Sequence, residues 1–203
     1  MITPELYRPD VFKGWQPRTA LGFHVLRALP YMPREVGQEL VELIRRSVVV
    51  ESELHLTIIR ASGCVEPLGC VGRKVVTDTG VGFIVDAFQN LVELENLKFH
   101  GIGTGSTAEA AGDTALVTEL TTEYTGNVRA TGTTTEQAAN IYKTVATNTL
   151  DGTPGAALRE HGIFDQAATG GGVLLDRTVY AAITLSSGDG LQTDYRLTLT
   201  SGG

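Results

Sequence analysis

From Leu97 onward the chain repeats one pattern that leaves little choice of fold. Six segments, LKFHGIG, VRATGTTT, NIYKTVATNT, LREHGIF, GVLLDRTVYAAITL and GLQTDYRLTLT, are rich in Val, Ile, Thr, Tyr and Phe and are separated by Gly, Asn and Asp. In the last, Leu191, Thr193, Tyr195, Leu197 and Leu199 alternate with Gln192, Asp194, Arg196, Thr198 and Thr200. A period of two places one set on a packed face and the other in water, as in a half-buried antiparallel strand. Six such strands in about a hundred residues predict a mainly β chain with an antiparallel sandwich or jelly-roll-like domain. The segment between the first two, GTGSTAEAAGDTALVTELTTEYTG, is too long for a hairpin, and a turn of helix is expected at Asp113 to Leu120. Long ordered loops of this kind tend to carry contacts.

The residues before this region read differently. Pro4, Pro9, Pro17, Pro30 and Pro33 crowd the start of the chain, removing backbone donors and blocking regular elements. Tyr7, Phe12, Trp15, Phe23 and Tyr31 are interleaved with them, which predicts an extended arm that lays aromatics into a surface, its own or a neighbour's. A helix follows in PREVGQELVELIRRSVVV, with Val36, Leu40, Leu43 and Ile44 on one face, acids early and Arg45 and Arg46 late, matching the helix dipole. SELHLTIIR then alternates as a strand, with Leu54, Leu56 and Ile58 inward and His55 on the surface side. The Gly- and Cys-containing stretch after it reads as a turn region. A second short helix is expected near Thr79, capped by Asp78 or Thr79, with Phe83, Ile84, Ala87, Phe88 and Leu91 as its apolar face. Gly80 and Gly82 near its start weaken it but permit close packing. The chain thus divides into an arm (1–32), a helix plus strand (33–72) and a β-sandwich (73–203).

Charge narrows the partners. With 16 basic and 23 acidic side chains the chain carries about seven net negative charges, which argues against nucleic acid, since phosphate binding needs surplus Lys and Arg. No apolar run approaches a membrane span of ~18 residues. The first residues lack the basic start and apolar core of a secretory signal. Cys64 and Cys70 are expected as free thiols, with a disulfide across their short turn as the alternative, and the four histidines, His24, His55, His100 and His161, stand singly without metal-ligand spacing.

The chemistry-bearing patterns favour structural readings. HGIGTGST follows a strand and suggests a phosphate loop, but no lysine follows Gly105, and Ser106 stands where a dinucleotide fingerprint needs glycine. A glycine-rich turn at a close backbone approach is expected instead. His161 has Glu160 and Asp165 nearby and Ser186 and Ser187 a strand away, yet no nucleophile elbow is present. A paired-carboxylate glycosidase has poor support, since one tryptophan and few aromatics make a weak sugar platform. Asp176 and Arg177 are expected to form an ion pair on a strand surface. Asp151 and Asp189 read as turn acids, not calcium ligands. No catalytic, cofactor or metal residues are assigned.

The runs GIGTGSTAEAAGDTALVTEL, VRATGTTTEQAANIYKTVAT and LREHGIFDQAATGGGVLLDRTVYAAITLSSGDGLQTDYRLTLTSGG resemble, in order and spacing, virion structural proteins of tailed bacteriophages. The likeness covers residues 73 to 203 and is shared by capsid cement (decoration) proteins and by fibre or tail modules. It implies a non-enzymatic protein of the capsid surface, assembled in the host cytoplasm, that bridges major capsid subunits and binds copies of itself as a trimer. The alternative it leaves open is a tail, connector or head-fibre adaptor. The five arm aromatics are then the expected interface, with no cofactor, nucleic acid, membrane or small-molecule substrate.

Overall fold

The computed structural model describes residues 48–73, 75–150 and 155–201. The chain divides into two compact units, Met1–Val50 with Thr198–Gly203 and Glu51–Leu197, and nearly all described residues belong to the second. The expected arm, its five aromatics Tyr7, Phe12, Trp15, Phe23 and Tyr31, and the helix expected after Pro33 lie outside the described residues.

The molecule is mainly β, as the alternation predicts. Strands β1 (Val49–Ile59), β2 (Val65–Gly72), β6 (Thr133–Ala138), β7 (Ile141–Thr149) and β10 (Gly190–Thr200) form one antiparallel sheet in the order β2-β1-β10-β7-β6. Strands β3 (Val75–Val76), β4 (Phe99–Gly103), β5 (Ala130–Thr131), β8 (Ala157–Phe164) and β9 (Leu174–Thr184) form the other, in the order β3-β9-β8-β4-β5. One helix, α1 (Asp78–Phe88), follows β3. The strand expected within 33–72 is therefore a neighbour of the last strand in one sheet, and does not stand apart from the 73–203 region.

The inward residues meet between the sheets. Leu54, Leu56 and Ile58 of β1 and Leu191 of β10 pack with Ile102, Leu158, Tyr180 and Ile183 of the facing sheet, all buried. At ~25 cal/mol per Å² removed from water, this apolar seam is the main stabilising term of the sandwich. Tyr195 and Thr193 are buried on β10 while Gln192, Asp194 and Arg196 are half-buried, so the expected register holds.

Three local expectations need correction. Val65–Gly72 is no turn region but an edge strand paired with β1, from Leu54↔Gly72 to Ile59↔Val65, with register shifts at Leu54/His55 and Leu56/Thr57. Pro67 and the positive-φ Gly69 (72°) are tolerated because an edge strand has an unpaired side and bulges absorb the irregularity. Asp113 to Leu120 contains no helical turn. There the Asp113 carboxylate accepts from Ala110 N–H at 2.9 Å, a local bond that competes with helix formation. The cap of α1 is Thr77, whose hydroxyl accepts from Gly80 N–H at 3.0 Å, and not Asp78 or Thr79.

Candidate functional site

The side chains on β4, β8 and β9 that the sequence offers for chemistry do converge, but into closed internal networks. Residues 105–118 lie against the outward side chains of β8 and β9, and β8 is buried on both sides from Glu160 to Phe164. Glu160 is fully buried, and its carboxylate accepts from the backbone N–H groups of Gly105 (3.1 Å), Val117 (3.0 Å) and Thr118 (2.7 Å) and from Arg177 Nε (3.0 Å). The Arg177 guanidinium donates onward to the Asp113 carboxylate at 2.9 Å and to Thr107 C=O at 2.9 Å. One ion pair thus fastens both ends of the 104–118 excursion. The glycines of GTGST are needed for this approach: a Cβ on Gly103 or Gly105 would lie 2.6 Å or 2.5 Å from Glu160 Oε1. The expectation of a close-approach turn holds, with a carboxylate in the cradle. Both oxygens of the Glu160 carboxylate are thus engaged by donors of the protein itself.

The expected surface pair Asp176–Arg177 does not exist. Adjacent strand residues point to opposite faces, and both faces of β9 are covered here, so the two side chains are fully buried and separated. Arg177 points outward to Glu160, and Asp176 points inward to Ser52 Oγ, which donates at 2.6 Å. Thr178 Oγ1 donates to the other oxygen of Asp176 at 3.0 Å. Burial raises the Asp176 carboxyl to a pKa of about 7, against the opposing pull of these two donors.

His161 finds His100 rather than a serine. His161 Nε2 lies 3.1 Å from His100 Nδ1, which is also 2.7 Å from Thr193 Oγ1, and His100 Nε2 lies 3.1 Å from Thr144 Oγ1. Burial holds both imidazoles neutral, pushing His161 down to about 3 and His100 well below its ordinary value. The pair cross-links the two sheets, with Thr144 on β7 and Thr193 on β10 supplied by the opposite one. A second buried ion pair, Arg129 with Glu119 (2.9 Å from Nη2 to Oε2), lies with its guanidinium over the Phe164 ring at 3.4 Å.

The remaining chemical candidates are also occupied or apart. Asp189 accepts from Ser186 N–H, Ala61 N–H and Arg60, closing a turn as expected. Cys64 and Cys70 are free and exposed. His55 is half-buried beside Glu53 at 3.2 Å. A depression of about 300 Å³ is lined by Tyr124, Val128, Arg129, Thr131, Thr147 and Asn148 among others, and its ionisable members, Tyr124 and Arg129, are both hydrogen-bonded internally. Among the described residues no group of three His, Cys, Asp or Glu side chains is placed to hold a metal ion.

What the surface does offer is apolar. The inner side of α1, Gly80 and Phe83, is buried, and Thr77 seats the helix start by donating to Leu174 C=O while its N–H donates to Leu175 C=O at 2.9 Å. The expected apolar face is only partly inward: Phe88 is 78% and Leu91 68% exposed. With Val81 and Val85, also exposed, Phe88 makes a stripe at four- and three-residue spacing. Asn90 then adopts φ 58°, its N–H donating to Ala87 C=O and that of Leu91 to Asp86 C=O. This Schellman ending fixes Leu91 just beyond the stripe. Sequence reasoning missed Val81 and Val85, although apolar residues on more than one side of a helix are the signal for a helix covered twice. Asp78, Asp86, Glu93 and Glu95 surround the stripe and are exposed, with no basic residue from Val75 to Leu97.

No family model matches the chain, and no curated protein is significantly similar to it.

Proposed function

We propose that the protein is a virion structural protein of a tailed bacteriophage, a capsid cement protein that bridges and stabilises neighbouring major capsid subunits at the capsid surface. The observation that supports this most is the exposed stripe Val81, Val85 and Phe88 on a helix whose other side is anchored in the sandwich, with Leu91 exposed just beyond its end. Large apolar side chains grouped on a rigid element are what a protein–protein contact uses, and aromatic residues dominate such contacts. The internal networks around Glu160 and Arg129 fit the same reading, because they stiffen the loop-covered sheet without leaving reactive groups open.

The finer features follow this reading. The first and last strands are sheet neighbours and β3 lies beside β9 in the other sheet, a nested pairing that favours a jelly-roll-like domain. The arm of residues 1–32 reaches an adjoining subunit, adding avidity. The assembly is a trimer, closed symmetry being the norm for homo-oligomers. It acts without catalysis, cofactor, nucleic acid or membrane, and is assembled in the host cytoplasm.

The test compares particles made with and without the protein by electron microscopy and heat challenge. Particles lacking it should lose density at subunit seams and break at lower temperature. Equal heat tolerance would refute cementing, and a copy number of a few per particle would assign the protein to a tail, connector or head-fibre position instead.

A further inference from the structure

Asn148, near the end of β7, is buried by the fold but not used by it. Alternation along β7 buries Thr144, Ala146 and Asn148 on the same side. Thr144 bonds His100, whereas Asn148 is 1% exposed and, among the described residues, neither its Oδ1 nor its Nδ2 has a hydrogen-bond partner. A buried amide without partners is unfavourable, so its retention needs a reason. The surroundings supply one. Pairing of β6 with β7 ends at Val145, and farther along β7 the chain meets Tyr124, which bridges Leu150, while Thr125 N–H donates to Thr149 C=O at 3.0 Å. The depression of about 300 Å³ opens between these two pairings, with Asn148 in its lining.

The rest of the lining restricts what can enter. Tyr124 Oη accepts from Ile102 N–H and donates to Ile102 C=O, and the Arg129 guanidinium is paired with Glu119, so neither brings a free polar or charged side-chain group to the depression. No carboxylate and no lysine is among the described residues that line it. What remains is the Asn148 carboxamide, the exposed Thr131, Thr147 and Thr149, and the apolar Val128. A carboxamide can accept from one hydroxyl and donate to its neighbour at the same time, which suits an uncharged ligand with adjacent hydroxyls. The volume lies at the small end of ligand pockets, room for one ring. We propose that this depression binds a neutral sugar ring, two adjacent hydroxyls of which pair with Asn148 Oδ1 and Nδ2 while an apolar edge of the ring lies on Val128. The site is separate from the α1 stripe: β5, which carries Ala130 and Thr131, stands at the opposite edge of its sheet from β3, which α1 follows. It binds without making or breaking a bond, and it neither needs nor opposes the assembly reading.

Titration of the ¹⁵N-labelled full chain, followed by NMR, with the methyl glycosides of glucose, galactose, mannose and N-acetylglucosamine tests this. At least one of them should shift the Asn148 side-chain amide and the backbone amides of Thr147 and Thr149 in a saturable way. The same sugars presented as chain ends on an immobilised glycan surface separate a pendant ligand from a free one. Asn148→Leu, of similar size, should abolish binding while keeping or raising the thermal midpoint, because it removes an unpaired amide. Val128→Trp, at a 44% exposed position, should block entry with the fold intact. No saturable response to any of these sugars in either form, or a response that survives both substitutions, overturns the proposal. So does a marked loss of stability in Asn148→Leu, which would show that the amide is satisfied within the fold. Acetamide shifting the same resonances where the glycosides are silent would overturn it in favour of an amide ligand.

Discussion

Glu160 and Arg177 show how a single buried pair organises a loop. Taking both charges from water is costly, and here the cost is offset by three backbone N–H donors on one partner and by Asp113 and two carbonyls on the other. Removing either partner strands the remaining charge. Arg177→Met should destabilise the protein by ~3–5 kcal/mol, and Glu160→Gln should be of similar severity because its amide group faces backbone donors. Urea unfolding measures the loss, and a change under ~1 kcal/mol would show that the pair contributes little. The buried histidines carry an acid response. His161 keeps a pKa of about 3 in the fold against 6.5 when free, and His100 is shifted the same way, so below pH 6.5 the unfolded chain takes up protons that the native one refuses. Stability therefore falls as pH drops below 6.5, by ~1.4 kcal/mol per pH unit for each histidine. Asp176 acts oppositely: with a pKa of about 7 in the fold against 3.8, it holds a proton that the unfolded chain releases, so its contribution falls as pH rises from 3.8 to 7. His161→Phe should flatten the acid limb by about one proton, and Asp176→Asn should steepen it, both read from unfolding midpoints across pH 4–7.

At the scale of elements, α1 offers a paired test of packing. A Cβ on Gly80 would lie 2.5 Å from Leu175 C=O, whereas one on Gly82 meets nothing within 4 Å. Gly80→Ala should cost ~1–3 kcal/mol as the helix is forced off β9, while Gly82→Ala should stabilise by ~0.5–1 kcal/mol through helix propensity alone. Equal effects in thermal melts would mean that the helix is not seated on β9 as described. The same helix marks the limit of what periodicity reveals. The spacing of Phe83, Ile84 and Ala87 locates its buried side, but Phe88 and Leu91 continue that spacing and are exposed, because apolar pattern records that a surface is covered and not by what. Strands β4 to β10 are legible wherever one face is wet, as in Leu191–Leu197. Where residues 105–118 bury the second face, the alternation around Glu160 and Arg177 disappears, and sequence adjacency wrongly pairs Asp176 with Arg177 on a surface. The His100–His161 contact joins residues 61 apart that share no local signal. Strand β2 is hidden by its own exposure, since an edge strand with Pro67 and bulges has no reason to alternate.

For the molecule as a whole, stability and assembly should separate at Phe88. The side chain is 78% exposed, so Phe88→Ser removes almost no buried area from the fold and should change unfolding free energy by less than ~0.5 kcal/mol. If the α1 stripe is the contact that holds the protein on its particle, the same substitution removes an aromatic anchor of ~2–4 kcal/mol, a loss of roughly 30- to 1000-fold in affinity. Core substitutions should behave in the reverse sense: Leu54→Ala, fully buried between the sheets, should cost ~2–5 kcal/mol of stability yet leave attachment normal at temperatures where the chain remains folded. Gel densitometry of purified particles counts attached copies, and urea melts of the free proteins give stability, so the two axes are measured independently. A Phe88→Ser protein that decorates particles at the normal copy number would move the contact away from α1. One that fails to fold would show instead that the helix end is part of the core, because a side chain facing only solvent cannot be required for folding.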